Sequence, residues 1–175
     1  MSVYSAKLNL TSHGNRVTYH GITEQVKQHV ETSGIREGIC VVASPHTTCS
    51  VIFEELSYDK DFYGYEYLQL DLNEILEKLI PNCKTQGQYH HPGPEHIRVG
   101  LEDFKGKISP EAYTMLNTDA HLKSTLLGTS ETFVIENGEM QIGMVGYIYF
   151  IDWDRLRVRN RTCHIKIIGE KKARE

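Results

Sequence analysis

Three short polar segments hold the side chains best suited to chemistry: Ser44-Pro45-His46-Thr47-Thr48-Cys49, Gln88-Tyr89-His90-His91-Pro92 and Asn117-Thr118-Asp119-Ala120-His121-Leu122-Lys123. Imidazole is the usual nitrogen ligand of divalent metals and titrates near neutrality, so three such segments in one small chain predict a single convergent site. In the first, proline fixes the exit from an apolar run, and Thr47 and Thr48 offer hydroxyl donors to phosphate oxygens beside His46. The second carries adjacent histidines. Neighbours on extended backbone point in opposite directions, so only one faces a given site, and His91 is the choice. In the third, Asp119 and His121 stand near a helix N-terminus, where carboxylate, imidazole and free backbone N–H groups suit an anion or a metal-bound water. Lys123 adds charge, although two residues along a helix rotate it away from His121. His13, His20, His29, His96 and His164 lack comparable surroundings.

The elements that must position these segments follow from periodicity. Val3 to Leu10 reads as a strand, Ile22 to Val30 as a helix stopped by Gly34, and Gly38 to Ala43 as an apolar strand buried on both faces. The first histidine segment therefore leaves a central strand. Cys49 to Glu55 resumes a strand, and Leu68 to Ile80 is an amphipathic helix ended by Pro81. Residues 82–118, rich in Gly, Pro and charge, form a structured excursion over a site, opened by the second segment and closed by the third. Thr118 to Gly128 is a short helix, capped by Thr118 or Asp119 and stopped by Gly128. Glu131 to Glu136 and Glu139 to Gly143 flank Asn137-Gly138, the strongest local signal for a hairpin. Tyr147 to Trp153 and Thr162 to Ile168 are two further strands, and Glu170 to Glu175 is a charged tail. This order gives an α+β domain on an antiparallel or mixed sheet, or two sheets packed face to face.

Length and charge bound the rest. With 175 residues the chain is one domain, 1–175, with a single core. A formal charge of −4 and a pI near 6.1 lack the basic surplus of a nucleic-acid binder. Arg155, Arg157, Arg159 and Arg161 alternate and would share one face of a strand, either solvated or turned to another subunit, or else forming an anion site. Four cysteines without a Cys-x-x-Cys pair, and no apolar run near the ~20 residues of a membrane span, point to a soluble protein of the reducing cytoplasm. Cys49 beside His46 reads as a packed thiol rather than a nucleophile.

His46-Thr47-Thr48 behind an apolar strand, Tyr89-x-His91, Asp119-Ala120-His121-Leu122-Lys123-Ser124-x-Leu126-Leu127-Gly128 and the closing strand Gly143 to Asp152 resemble the YjbQ family over nearly the whole chain. The resemblance implies an α+β fold, a seven-stranded β-sandwich with helices, packed as a homotrimer with the strand around Tyr147 to Trp153 between subunits. It also implies a secondary thiamine-phosphate synthase activity, in which a phosphorylated thiazole displaces pyrophosphate from an activated pyrimidine. His46, His91 and His121 match the family's histidines and would converge, with Asp119 and Glu54 nearby. Gly143-Met144-Val145-Gly146 stands where the family usually has Gly-Thr-Trp-Gln, and Phe53-Glu54-Glu55 where it usually has Asn-Glu-Asn. Ligand contacts made by the missing Trp and Gln do not carry over.

Two function classes follow. In the enzyme, His46, His91 and His121 hold a divalent metal ion, zinc or magnesium, with an open position; Asp119, Glu54 or His121 moves a proton, and Thr47, Thr48 and Lys123 bind the substrate's phosphate. In the alternative, a non-catalytic module, the same pocket holds a small phosphorylated metabolite or a metal without turnover.

Overall fold

The apolar alternations become two antiparallel sheets stacked face to face. The structure is a computed structural model and describes residues 1–105, 107 and 111–171. The larger sheet runs in the order β1 (Ser2–Thr11), β8 (Asn160–Glu170), β3 (Glu37–Ala43), β5 (Ser130–Glu136), β6 (Glu139–Met140). The smaller runs β2 (Thr18–Gly21), β7 (Gly146–Asp152), β4 (Cys49–Glu55). The described residues thus hold eight strands against the seven expected. The addition is β2, whose Thr-Tyr-His-Gly carries no alternating apolar signal; it is held by pairing along β7, with Thr18 opposite Asp152 and Gly21 opposite Tyr149. The hairpin between β5 and β6 turns on Asn137 at φ 55° and Gly138 at φ 86°, the positive values such a turn requires.

β7 is apolar on both faces, and this organises the core. Ile148 and Phe150 pack between the sheets with Val51, Val42 and Ile165. Tyr149, Ile151 and Trp153 face the other way, onto Leu76 of α2 (Tyr67–Leu79) and Ala120 of α4 (Thr118–Leu127). Each fully buried Ile or Phe there contributes roughly 1.5–3 kcal/mol. Ile148 to Trp153 are therefore buried within their own chain.

The helices end where the sequence says they must. α1 (Thr23–Ser33) buries Val26 and Val30 and stops at Gly34, φ 65°. α2 opens on a capping box between Glu66 and Gln69 and closes before Pro81. Within the 82–118 excursion lies α3 (Pro94–Leu101), which has proline in its first turn, followed by a short 3-10 helix, Ala112–Met115. The two touch tightly at Gly100, where a Cβ would come within 2.6 Å of Met115 Sδ. Among the described residues no helix is long and apolar enough to cross a membrane. All four cysteines are buried free thiols. The charged tail beyond Lys171 lies outside the described residues.

Candidate active site: a cavity of histidines and arginines

A cavity of about 320 Å³ opens where four segments meet: the loop after β3, α3 with the 3-10 helix, the start of α4, and the 153–161 stretch leading into β8. His46, Thr47 and Thr48 line it from the first, His96 and Met115 from the second, Asn117 and His121 from the third, and Asp154, Arg157, Arg159 and Arg161 from the fourth.

The first loop is pinned at both ends. Ser44 Oγ accepts the His46 N–H at 3.1 Å, and Cys49 N–H donates to the His46 carbonyl at 3.2 Å. The His46 ring is fixed by β8: its Nε2 accepts the Thr162 N–H at 2.9 Å. In the neutral ring the hydrogen then sits on Nδ1, so His46 offers the cavity a donor. Burial, and then the Arg161 guanidinium, lower its pKa below the ordinary histidine value, which keeps the ring neutral at pH 7.

His121 projects from the first turn of α4. Burial lowers its pKa below the ordinary histidine value against the opposing pull of the nearby Thr47 carbonyl, so the ring is neutral at pH 7 and has one acceptor nitrogen. His91 lies beside it, the ring centroids 5.6 Å apart, and His96 packs on His91 at 4.5 Å. Thr118 Oγ1 donates to the His91 carbonyl at 2.6 Å, so at the 2.9 Å contact with His91 Nδ1 the ring must donate, leaving Nε2 as acceptor. His91 thus stands beside His121 without lining the cavity itself, and His90 is exposed.

The arginines give the cavity its sign. Segment 153–159 is a loop rather than the expected strand, yet its Arg157 and Arg159 reach the same space as Arg161 of β8. Arg161 is fully committed: its Nε and Nη2 clasp Asp152 at 2.7 and 2.9 Å, and Nη2 also donates to Thr48 Oγ1 at 2.9 Å. Both ends of that pair are buried, which makes it a rigid floor. Burial and mutual repulsion push Arg157 and Arg159 below the ordinary arginine range, Arg157 against Arg159 and Arg159 against Arg161. Arg157 Nη1 donates to Thr114 Oγ1 at 3.2 Å, but its buried Nε has no partner among the described residues. Arg157 and Arg159 thus stand beside Asp154 on a predominantly cationic wall, a surface suited to an anion.

Several predicted site residues lie elsewhere, for geometric reasons. Asp119 sits two residues from His121, about 200° around the helix. Its Oδ1 accepts the Cys83 N–H at 2.9 Å, and its Oδ2 meets Lys123 Nζ at 3.6 Å and Arg155 Nη2 at 3.4 Å. Lys123 is buried on that same side and donates to Asn82 Oδ1 at 3.1 Å. Asp119 and Lys123 therefore anchor the 81–89 loop rather than act on a ligand. Glu54 stands at the other end of β4, five residues beyond Cys49, about 16 Å at strand rise. Thr48 lines the cavity, but its hydroxyl oxygen is taken by Arg161; Thr47 is the exposed hydroxyl residue.

A divalent ion on His46, His91 and His121 does not fit this donor set. His46 has spent its lone pair on β8, and among the described residues no three His, Cys, Asp or Glu groups are arranged to hold a metal ion. What sequence reasoning missed is His96, which has no motif of its own, and the arginine wall, for which the alternation of Arg155 to Arg161 was the available signal.

The fold and this cavity define an α+β sandwich protein with a cationic, histidine-bearing pocket at one end of its smaller sheet. A profile of the family described as UPF0047 protein YjbQ-like matches residues 6–170, and the chain belongs to that family. A UPF0047 protein of Archaeoglobus fulgidus is 33% identical over 144 residues, covering 82% of this chain and 87% of its own length. The UPF0047 protein YugU of Bacillus subtilis is 27% identical over 148 residues, covering 85% and 87%. Among solved structures, a YbjQ-like protein of unknown function from Sulfolobus solfataricus P2 superposes with a TM-score of 0.70 at 23% identity, over 97% of this chain and 99% of that one. An uncharacterized YjbQ/UPF0047 protein of Clostridium acetobutylicum gives 0.64 at 28% identity, over 96% and 100%.

Proposed function

We propose that the cavity binds the phosphate or pyrophosphate of a small phosphorylated metabolite and that the protein is a transferase of the thiamine-phosphate synthase type. The observation that supports this reading is the wall of Arg157 and Arg159, which lines the same cavity as His46 and His121. In such a reaction a bond forms between the thiazole nitrogen and the activated carbon of the pyrimidine, while the carbon–oxygen bond to pyrophosphate breaks and its electron pair leaves with pyrophosphate. Charge therefore develops on phosphate oxygens. Preorganised donors in a partly dry cavity lower the cost of that charge without reorganising during the reaction. Thr47 adds a hydroxyl, and the acceptor nitrogen of His121 takes or returns a proton on a phosphate oxygen.

The reading needs no resident zinc or magnesium. Metal analysis of the purified protein checks that point, and stoichiometric metal that disappears in His46→Ala overturns it. The transferase reading itself is tested by incubating the protein with the phosphorylated thiazole and the pyrimidine pyrophosphate and measuring pyrophosphate release. Release that depends on His121 and Arg157 is expected; thermal stabilisation by pyrophosphate without any release establishes the non-catalytic module instead. Assembly as a homotrimer is part of the same proposal, and a monomer mass by light scattering removes it.

A further inference from the structure

The histidine cavity has two chemically different ends. Opposite in character to the arginines is the surface contributed by the 82–118 excursion, where Val99 and Gly100 of α3, Phe104 just beyond it and Met115 of the 3-10 helix line the same space. Gly100 makes this surface continuous: a Cβ there would come within 2.6 Å of Met115 Sδ and push the thioether away from α3. The Phe104 backbone is tied to the helix, its N–H donating to the Val99 carbonyl at 3.1 Å, while the residue stays 42% exposed. A phenyl ring left partly in water on a cavity wall is apolar surface that a ligand can cover.

The charge of α3 is spent elsewhere. Arg98, the single arginine or lysine of that helix, pairs with Glu95, Glu102 and Asp103 at 2.8, 3.1 and 3.4 Å among exposed side chains and does not line the cavity. His96 is the one polar side chain of α3 in the lining. Next to Met115 in the chain, Thr114 Oγ1 donates to the Glu111 carbonyl at 2.6 Å and accepts Arg157 Nη1 at 3.2 Å, which leaves Asn117 to meet a polar atom of the ligand. At the cationic end the guanidiniums of Arg157, Arg159 and Arg161 stand with two carboxylates, Asp152 and Asp154, an excess of one positive charge. That excess suits one phosphate group, and the apolar end has no arginine or lysine to hold a second.

We propose, on the phosphate reading above, that the ligand of this cavity is a phosphate ester of an uncharged aromatic or apolar group, and that Val99, Phe104 and Met115 select it over the phosphate esters of polyols. A polyol would bury hydroxyls against ring carbon and thioether without partners, which is costly. A flat apolar group instead removes water from its own face and from Phe104 together. It also gains offset or edge contacts with the phenyl ring and meets the polarisable sulfur of Met115. The volume of about 320 Å³, at the lower end of the range for ligand pockets, sets the size at a small ester.

The test is calorimetric titration of the full chain with benzyl phosphate, glycerol 3-phosphate and inorganic phosphate. Benzyl phosphate is expected to bind about tenfold more tightly than inorganic phosphate, and glycerol 3-phosphate no more tightly than inorganic phosphate. Phe104→Ala should bring benzyl phosphate down to the affinity of inorganic phosphate, whereas Arg157→Gln should weaken all three probes. Circular dichroism reports folding, and where Phe104→Ala does not fold, Val99→Thr, which keeps the side-chain shape and adds a hydroxyl, takes its place. Benzyl phosphate binding no better than inorganic phosphate, glycerol 3-phosphate matching benzyl phosphate, or a preference that survives the variant overturns the proposal while the phosphate site stands. No binding of any probe, or binding that Arg157→Gln leaves unchanged, overturns the phosphate reading and the proposal with it.

Discussion

The histidine cavity and a second one, of about 300 Å³, lie at opposite ends of β4 and are lined by different side chains. Near Cys49 the wall is arginine and imidazole; near Glu55 it is largely tyrosine, with Glu66 paired to Lys60. The first gathers Arg157, Arg159 and Arg161 around one carboxylate, Asp154, whereas the second sets its one buried carboxylate against a lysine of the same lining. The difference teaches that the local lining, and not the total of −4, sets the sign of a site: an acidic chain holds a cationic pocket.

The comparison breaks most visibly at its cationic floor. Asp152→Ala strands the buried Arg161 and is expected to cost about 3–5 kcal/mol in urea unfolding, with phosphate binding lost as the loop of His46 loses its support. A loss below about 1 kcal/mol would show that Arg161 is solvated and the floor not rigid.

Asp119→Ala sharpens the distinction between the two sides of α4. It leaves the Cys83 N–H and Lys123 unpaired, so about 3 kcal/mol of stability should go, while the affinity for phosphate in whatever folded protein remains should be unchanged.

His121→Ala should give the opposite result. It is expected to unfold like the parent protein but to lose about tenfold in turnover, roughly 1.4 kcal/mol, because its side chain meets the cavity and not the core. Its lowered pKa places the acid limb of the parent's pH–rate profile below 6.5, and that limb should vanish in the variant.

The smallest expected effect belongs to the far end of β4. Burial and then the charge of Glu66 push the Glu54 carboxyl up to about 7 from its ordinary 4.5, so it penalises the folded state as pH rises through 7 and not below 4.5. Glu54→Gln should therefore leave stability unchanged in acid and raise it above pH 7 by about 1 kcal/mol, after discounting for partial exposure. An equal gain at both pH values would mean that packing, and not charge, governs the position.

Much of the architecture was legible in the order of apolar periods. Seven strands, the helices around Val26 and Leu76, and the Asn137-Gly138 turn follow from local propensity, where sequence neighbours are also spatial neighbours. The buried side of α4 was not legible, since the helix has almost no amphipathic stripe and its Leu126 is 56% exposed. β2 was not legible because its stability comes from pairing with β7, more than 120 residues away in sequence.

For the site, the sequence by itself determined which imidazoles were available, that only one of His90 and His91 could serve, and that the arginines between 155 and 161 alternate. Tertiary structure decided their roles. It turned His46 into a donor by giving its lone pair to β8 and placed His96 against His91. It also turned Asp119 and Lys123 toward the 81–89 loop and carried Glu54 to the far end of its strand. The physical reason is that a residue's type fixes what it can donate or accept, whereas the partner that uses that capacity comes from distant chain, and only packing selects it.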